Sequence, residues 1–356
     1  MSELRINNIT DTAGSSGPII AGVSTVTSTS HMVMPSGPTE FRGGRGRGIK
    51  AGGDTSPTKL SSMEFIEIAT TGNSTDFGDL SEAKMNLTGA SSSTRGVIMG
   101  GVTGTSPNFS VKSIEYTIIS SSGGSNDFGD LVGGQAKDSA GVTSEIRGFI
   151  CGATQQSDYG NYNNTIEFVT IATTGDSTEF ADLAHPGKQL NGGCESSTRG
   201  IILGGYTGTT PSDSTATNNI QFFNFASQGD TTRFGELTEK ARNVIGVSDQ
   251  TRGVRMGGYS ETANPAAFTN TIDFITMASE GNATDFGDTI GLDLNGAPVQ
   301  NRTRGVMMGT ETPSGQLNII QFITIQSAGN ATDFGDLSAA RAGVPAGLCD
   351  INASNS

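Results

Sequence analysis

One phrase of about 51 residues recurs six times along this chain, and the sixth copy ends on the segment that the first copy lacks. An Arg-Gly step marks each copy at Arg47, Arg95, Arg147, Arg199, Arg252 and Arg304. The Phe of an Asp-Phe-Gly-Asp-like phrase follows it in fixed phase, at Phe77, Phe128, Phe180, Phe234, Phe286 and Phe334. Two markers held in phase over six copies exclude coincidence, and a period near 50 residues means a propeller or a solenoid.

Each copy divides into four short β candidates separated by turn residues, the pattern of a four-stranded propeller blade. We label them A to D. Strand A is small and Gly-rich, as at residues 87–93 and 343–349, and suits the crowded centre of a ring. Strand B follows the Arg-Gly step and is expected to end at a Gly pair such as Gly100 and Gly101, except where Ala153 and Thr310 take the second place. Strand C carries an aromatic residue (Phe65, Tyr116, Phe168, Phe222, Phe274, Phe322) preceded by an acid or amide. Side chains alternate along a strand, so apolar weight falls on both of its faces, as expected for a sheet sandwiched between neighbours. A Gly- and Asn-bearing turn then leads to strand D and its Phe.

The two ends of the chain decide how the ring closes. The first repeat element is the strand B at Arg47, whereas one further strand A, residues 343–350, follows the last strand D. The C-terminal strand therefore completes the first blade, and no open sheet edge is left. The sequence thus predicts an all-β, six-bladed propeller over residues 47–351, an extended N-terminal arm at 1–46 and a short tail at 352–356. A rival closure would use the alternating residues 23–34, which do not match the strand A sequences.

No stretch shows helical apolar spacing, so almost no helix is expected. The net charge of −14 and pI near 4.5 argue against a nucleic-acid role, which needs clustered cations. The basic cluster Arg42, Arg45, Arg47 and Lys50, interleaved with Gly, reads as a flexible junction, with a phosphate contact as the alternative. Cys151, Cys194 and Cys349 lie in different repeats and read as small buried side chains rather than a disulfide framework. Neither a secretory signal nor an apolar run long enough for a membrane span is present.

Catalytic chemistry finds little support. His31 and His185 do not recur, and no Cys-x-x-Cys, phosphate-binding Gly loop or nucleophile elbow occurs, so no catalytic residue, cofactor or metal site is expected. A ring of the six repeat Arg side chains could hold an anion, but pairing with acids of their own blade, such as Glu64, Asp76 and Asp79, is the favoured reading. A Ca²⁺ site at Asn73, Asp76 and Asp79 competes with plain turn chemistry. The B to C connections, residues 102–112, 154–164, 206–219 and 259–270, are the longest and least alike. They hold Tyr159, Tyr162, Tyr206 and Tyr259, candidate binding residues because Tyr joins an apolar face to a hydroxyl. Ordinary drift of surface loops would produce the same divergence.

An apolar strand ending in Gly-Gly, an aromatic-bearing strand about a dozen residues on, and an aromatic followed by a basic residue after that together resemble the kelch repeat, with Phe77 and its five equivalents in place of the usual Trp. The trailing basic position is met loosely by Lys84, Arg242 and Arg341. In wording the chain is also similar to propeller proteins of the virions of tailed phages infecting marine cyanobacteria and other marine bacteria. The similarity lies in phrases such as residues 69–80 and 92–97, and in a leader of the type at residues 4–9, 17–20 and 34–37. These resemblances imply a non-enzymatic virion structural protein. Its arm, residues 1–46, would join other virion proteins, and its propeller would decorate the particle or touch a host-surface glycan or protein through the loop face that kelch-like proteins often use. An intracellular adaptor of kelch type and a carbohydrate-processing propeller remain open as alternatives.

Overall fold

A computed structural model describes residues 46–350 apart from 105–108, 156–160, 186, 189–191, 208–214 and 263–266; the arm, the tail and the rival closing segment lie outside the described residues. Six antiparallel sheets, each ordered A, B, C, D, form a six-bladed β-propeller, and no helix occurs among the described residues. Blade 2 is representative: A is Thr88–Ser91, B Arg95–Met99, C Ser113–Ile118 and D Asn126–Asp130.

Blade 1 is stitched from both ends of the described chain. Strand A, Ala346–Cys349, pairs antiparallel with strand B, Arg47–Ala51, in the register Gly48 to Cys349 and Ile49 to Leu348. Strands C and D of this blade are Leu60–Glu67 and Thr75–Lys84. The residue after strand A finishes the join: Asp350 Oδ1 accepts from the Arg47 backbone N–H at 2.8 Å. Ser144, Ser196, Asp249 and Asn301 accept the same N–H of their own Arg within one turn. The closure thus reproduces across the ends a cap that the other blades make locally.

Strand A lies innermost because its side chains are small. A Cβ at Gly89, Gly141, Gly193 or Gly246 would run into the backbone of the strand A beside it. Five of the six A strands have Gly at this place, where a side chain would block the close approach around the axis, and Pro298 stands there in blade 6. Outward from there, the apolar faces of adjacent blades meet in shared clusters: Ile49, Phe77 and Leu80 of blade 1 pack with Ile98 and Ile119 of blade 2. Every strand D Phe is at most 4 % exposed and sits edge-on to the strand C aromatic of its own blade, with centroids 5.7–6.0 Å apart. Cys151, Cys194 and Cys349 are buried free thiols, as their scatter over the repeats implied.

Two expectations need correction. The Gly pair does not always end strand B: in blades 3, 5 and 6 the strand continues, as Arg147–Gln155, Arg252–Ser260 and Arg304–Thr312, past a register shift at Gly152, Gly257 or Gly309. At each shift strand C carries one extra residue opposite the glycine, a bulge past which the hairpin runs on toward the loop face. Arg47 and Lys50 are not part of a flexible junction either. Both are buried strand residues, because the first strand B needs them in register with Glu67 and Glu64.

Candidate functional site

The propeller has two unlike faces. The A to B and C to D turns form one, where the six repeat Arg side chains begin strand B. Each guanidinium stacks on the strand C aromatic of its own blade, 4.4–4.8 Å from the ring centroid. Five also donate to a backbone carbonyl of the following blade: Arg47 to Ile119, Arg95 to Ile171, Arg199 to Met277, Arg252 to Ile325 and Arg304 to Ile68. The expected pairing with acids such as Glu64, Asp76 and Asp79 is not what these groups make. The aromatic stands on strand C two residues before the one in register with the Arg, on the same face, and captures the guanidinium first; among the described residues only Arg47 of the six adds an ion pair, with Glu67 at 3.1 Å. The turn position of Asn73 joins neighbouring blades. Its Oδ1 accepts from the Asp336 N–H of blade 6 at 3.0 Å, and Asp176, Asp230, Asn282 and Asn330 repeat that contact between other blades.

The opposite face carries the B to C connections and the D to A connections. Here Tyr206 of blade 4 and Tyr259 of blade 5 come together on Arg242, whose guanidinium lies 5.0 Å and 4.2 Å from the two ring centroids. The Tyr206 hydroxyl donates to Glu261 Oε1 at 2.7 Å, and Arg242 Nε is 3.7 Å from the same oxygen. Burial, followed by the bond to Glu261, pushes the Tyr206 phenol up to about 12, so it remains a donor. The network runs on through Arg242 to Asn243, Asn243 to Asn295 and Asn295 to Glu311, crossing into blade 6 at 2.9–3.1 Å per step. Tyr159 lies outside the described residues, as does the side chain of Tyr162, which is placed on strand C of blade 3, Asn161–Thr170. The structure therefore unites two of the four candidate tyrosines on Arg242, which the repeat marked only as a loosely kept basic position and not as their partner.

Asn243 and Asn295 also border the central channel, a cavity of about 70 Å³ lined by strand A residues. At its other end the last residues of the six A strands, Ser91, Thr143, Glu195, Ser248, Gln300 and Cys349, link into a circle. The backbone N–H of each donates to the side chain of the next, as from Glu195 to Ser248 at 3.0 Å and from Cys349 to Ser91 at 3.0 Å. Glu195 is the one carboxylate in the circle. Burial raises it to about 8, against the lowering effect of bonds from Thr143 and Gln300, so it is largely protonated at neutral pH.

A third recurring site joins the blades. The acid or amide of strand C is buried in every blade, as Glu64, Glu115, Glu167, Gln221, Asp273 and Gln321. In five blades it accepts from the end of strand D of the preceding blade or the residues just after it, as from the Ser81, Val132 and Ser338 N–H groups at 3.1–3.2 Å. Burial raises the carboxyls of Glu64 and Glu115, but hydrogen bonds from Ser338 and Ser74, and from Lys84 and Ser125, outweigh it and hold both below the ordinary value.

Among the described residues, no three His, Cys, Asp or Glu side chains gather as a metal site, and no helix is long and apolar enough to cross a membrane. What the loop face offers is ring edges, amides and carboxylate oxygens held on a rigid frame, a surface suited to binding. No known family profile matches the chain, and no curated protein is similar to it in sequence.

Proposed function

We propose that this propeller is a non-catalytic component of a tailed-phage particle, attached through residues 1–46 to other virion proteins and presenting its loop face to a host-surface glycan or protein. The observation that carries the reading is the polarity of the frame. The chain enters at Gly46 beside Asp350, on the face of the A to B turns, while the Tyr206, Arg242 and Tyr259 cluster lies on the opposite face. An attachment at the first face leaves the second free to meet a partner. The wording of the repeats and of the leader supports the assignment to a virion.

The test is assembly. A variant lacking residues 1–40 is expected to fold as a propeller and to be missing from purified particles; incorporation at the wild-type level would overturn the attachment role. Arg242→Ala, which releases both tyrosines, is expected to reduce adsorption of particles to host cells without reducing incorporation. Unchanged adsorption would remove the loop face from host contact.

A further inference from the structure

The strand C acids are balanced by built-in cations at three interfaces between blades but not at the fourth. Two positions supply these cations. One is the D to A residue whose carbonyl packs against the first glycine of the strand B pair: Lys84, Ala136, Ala241, Asp293 and Arg341. The other is the strand B residue in register with the acid: Lys50, Ile98, Ile150, Ile202, Arg255 and Met307. Glu115 takes Lys84, Glu64 takes Arg341 at 2.9 Å, and Asp273 takes Arg255 at 3.6 Å. In blades 4 and 6 the acid is replaced by Gln221 and Gln321, which carry no charge, and the buried Asp293 beside Gln321 is met by the Gln321 amide at 2.6 Å and the Thr310 hydroxyl at 3.2 Å.

Glu167 departs from this rule. It is 5 % exposed, and the two cation positions facing it are Ala136 and Ile150. Val132 and Gly133 donate backbone N–H groups to its oxygens at 3.1 Å and 3.0 Å, and the Ser177 hydroxyl donates as well. None of the ion pairs among the described residues includes it. Beside it lies a cavity of about 10 Å³ whose lining includes Ala136, Ile150, Asn163, Thr165 and Glu167. That volume is about one water-sized sphere, and the polar residues of its lining are Gln135, Asn163, Thr165 and Glu167. An isolated buried carboxylate is costly unless it is paired.

We propose that the interface between blades 2 and 3 binds a small hard monovalent cation, of the size and charge of Na⁺, on Glu167, where Lys84 and Arg341 supply a tethered cation at equivalent places. Oxygen donors suit such ions. The ion ties strand C of blade 3 to the segment following strand D of blade 2, so it stabilises one seam of the ring.

The test is thermal unfolding of the full chain in NaCl and in choline chloride at equal ionic strength. The wild type is expected to melt roughly 2–4 °C higher in NaCl, the shift that one modestly occupied site gives a domain of this size. Glu167→Gln, the amide found at Gln221 and Gln321, is expected to abolish the difference. Ala136→Lys is expected to abolish it too while raising the midpoint in choline chloride, because the ammonium takes the ion's place. Equal midpoints for the wild type in the two salts would overturn the proposal and leave the cavity to water. An undiminished salt difference in both variants would equally overturn it.

Discussion

Replacing Gly287 by Ala tests how closely the blades are required to approach. Gly287 lies in strand D of blade 5, Thr284–Asp288, at φ 149°, and a Cβ there would sit 2.6 Å from both the carbonyl carbon and the oxygen of Gly329 in the next C to D turn. The same approach lets the Gly329 N–H donate to the Phe286 carbonyl at 2.8 Å, a bond repeated at Gly72, Gly123, Gly175 and Gly281. Alanine forces the turn away and breaks this bond, about 0.5–1.5 kcal/mol, and adds backbone strain of about 1–3 kcal/mol, while the stiffer unfolded chain returns about 0.4–1 kcal/mol. The net loss is about 1–3 kcal/mol, or a fall in melting temperature of roughly 3–10 °C for a domain of this size. The protein contains its own control. Blade 3 has Ala181 at this position, and no bond from the Gly229 N–H to the Phe180 carbonyl occurs among the described residues. Ala181→Gly is therefore expected to protect the Gly229 amide from hydrogen exchange, with little change in stability because the bond and the added chain entropy offset each other. A melting temperature for Gly287→Ala within about 1 °C of wild type, with the Gly329 amide still protected, would show that the blades do not need this glycine to approach.

Removal of residues 346–356 deletes the strand that covers Ile49 and leaves strand B of blade 1 as an open edge; the truncated chain is expected to self-associate on size-exclusion chromatography, and a monomer with unchanged melting temperature would contradict the closure. Arg304→Ala loses the stack on Phe322 and the bond to the Ile68 carbonyl, at a cost of about 1–3 kcal/mol by denaturant unfolding, and Arg304→Lys recovers only part of it because an ammonium lacks the planar fork. Glu195 has a folded value near 8 and an ordinary value of 4.5, so between these limits the folded state binds more protons than the unfolded and this group makes stability fall as pH rises. Lys50 is lowered to about 7 from 10.5, by burial and then by Arg341, so between these limits the unfolded state binds more protons and stability rises with pH. Glu195→Gln is expected to flatten the fall in urea midpoint from pH 5 to 8, and Lys50→Met the rise from pH 7 to 10; slopes identical to wild type would contradict both assignments.

The number of blades and the seam were legible because they follow from counting. Six Arg-Gly steps and one surplus strand A after Phe334 favour one closed arrangement over the rival through residues 23–34, and the pairing of Ile49 with Leu348 is that arrangement. The Phe pairs were legible too, since an apolar ladder on both faces of strand C has no place except between sheets. The partner of each repeat Arg was not. Acids are frequent in every copy and suggested ion pairs, but the ring that wins stands on the neighbouring strand of the same blade, in a register the sequence does not display. The Tyr206 and Tyr259 cluster was legible only in part, because Arg242 reaches it from a D to A connection whose path depends on the bulge that prolongs strand B of blade 5.

The same limit explains why charge balance could not be read from the repeat. Lys84 and Glu115 lie in different copies, 31 residues apart, and Arg341 meets Glu64 only because the ring closes. Taken copy by copy, Lys84, Ala136 and Arg341 look like drift at a loosely kept basic position, and Glu64, Glu115 and Glu167 look alike. Once the blades are set side by side, each residue of the first group faces one of the second, and the variation at one site answers the chemistry at the other. Where Ala136 stands opposite Glu167, the pair is incomplete by one positive charge, and it is this mismatch, rather than any motif, that a bound ion would make good.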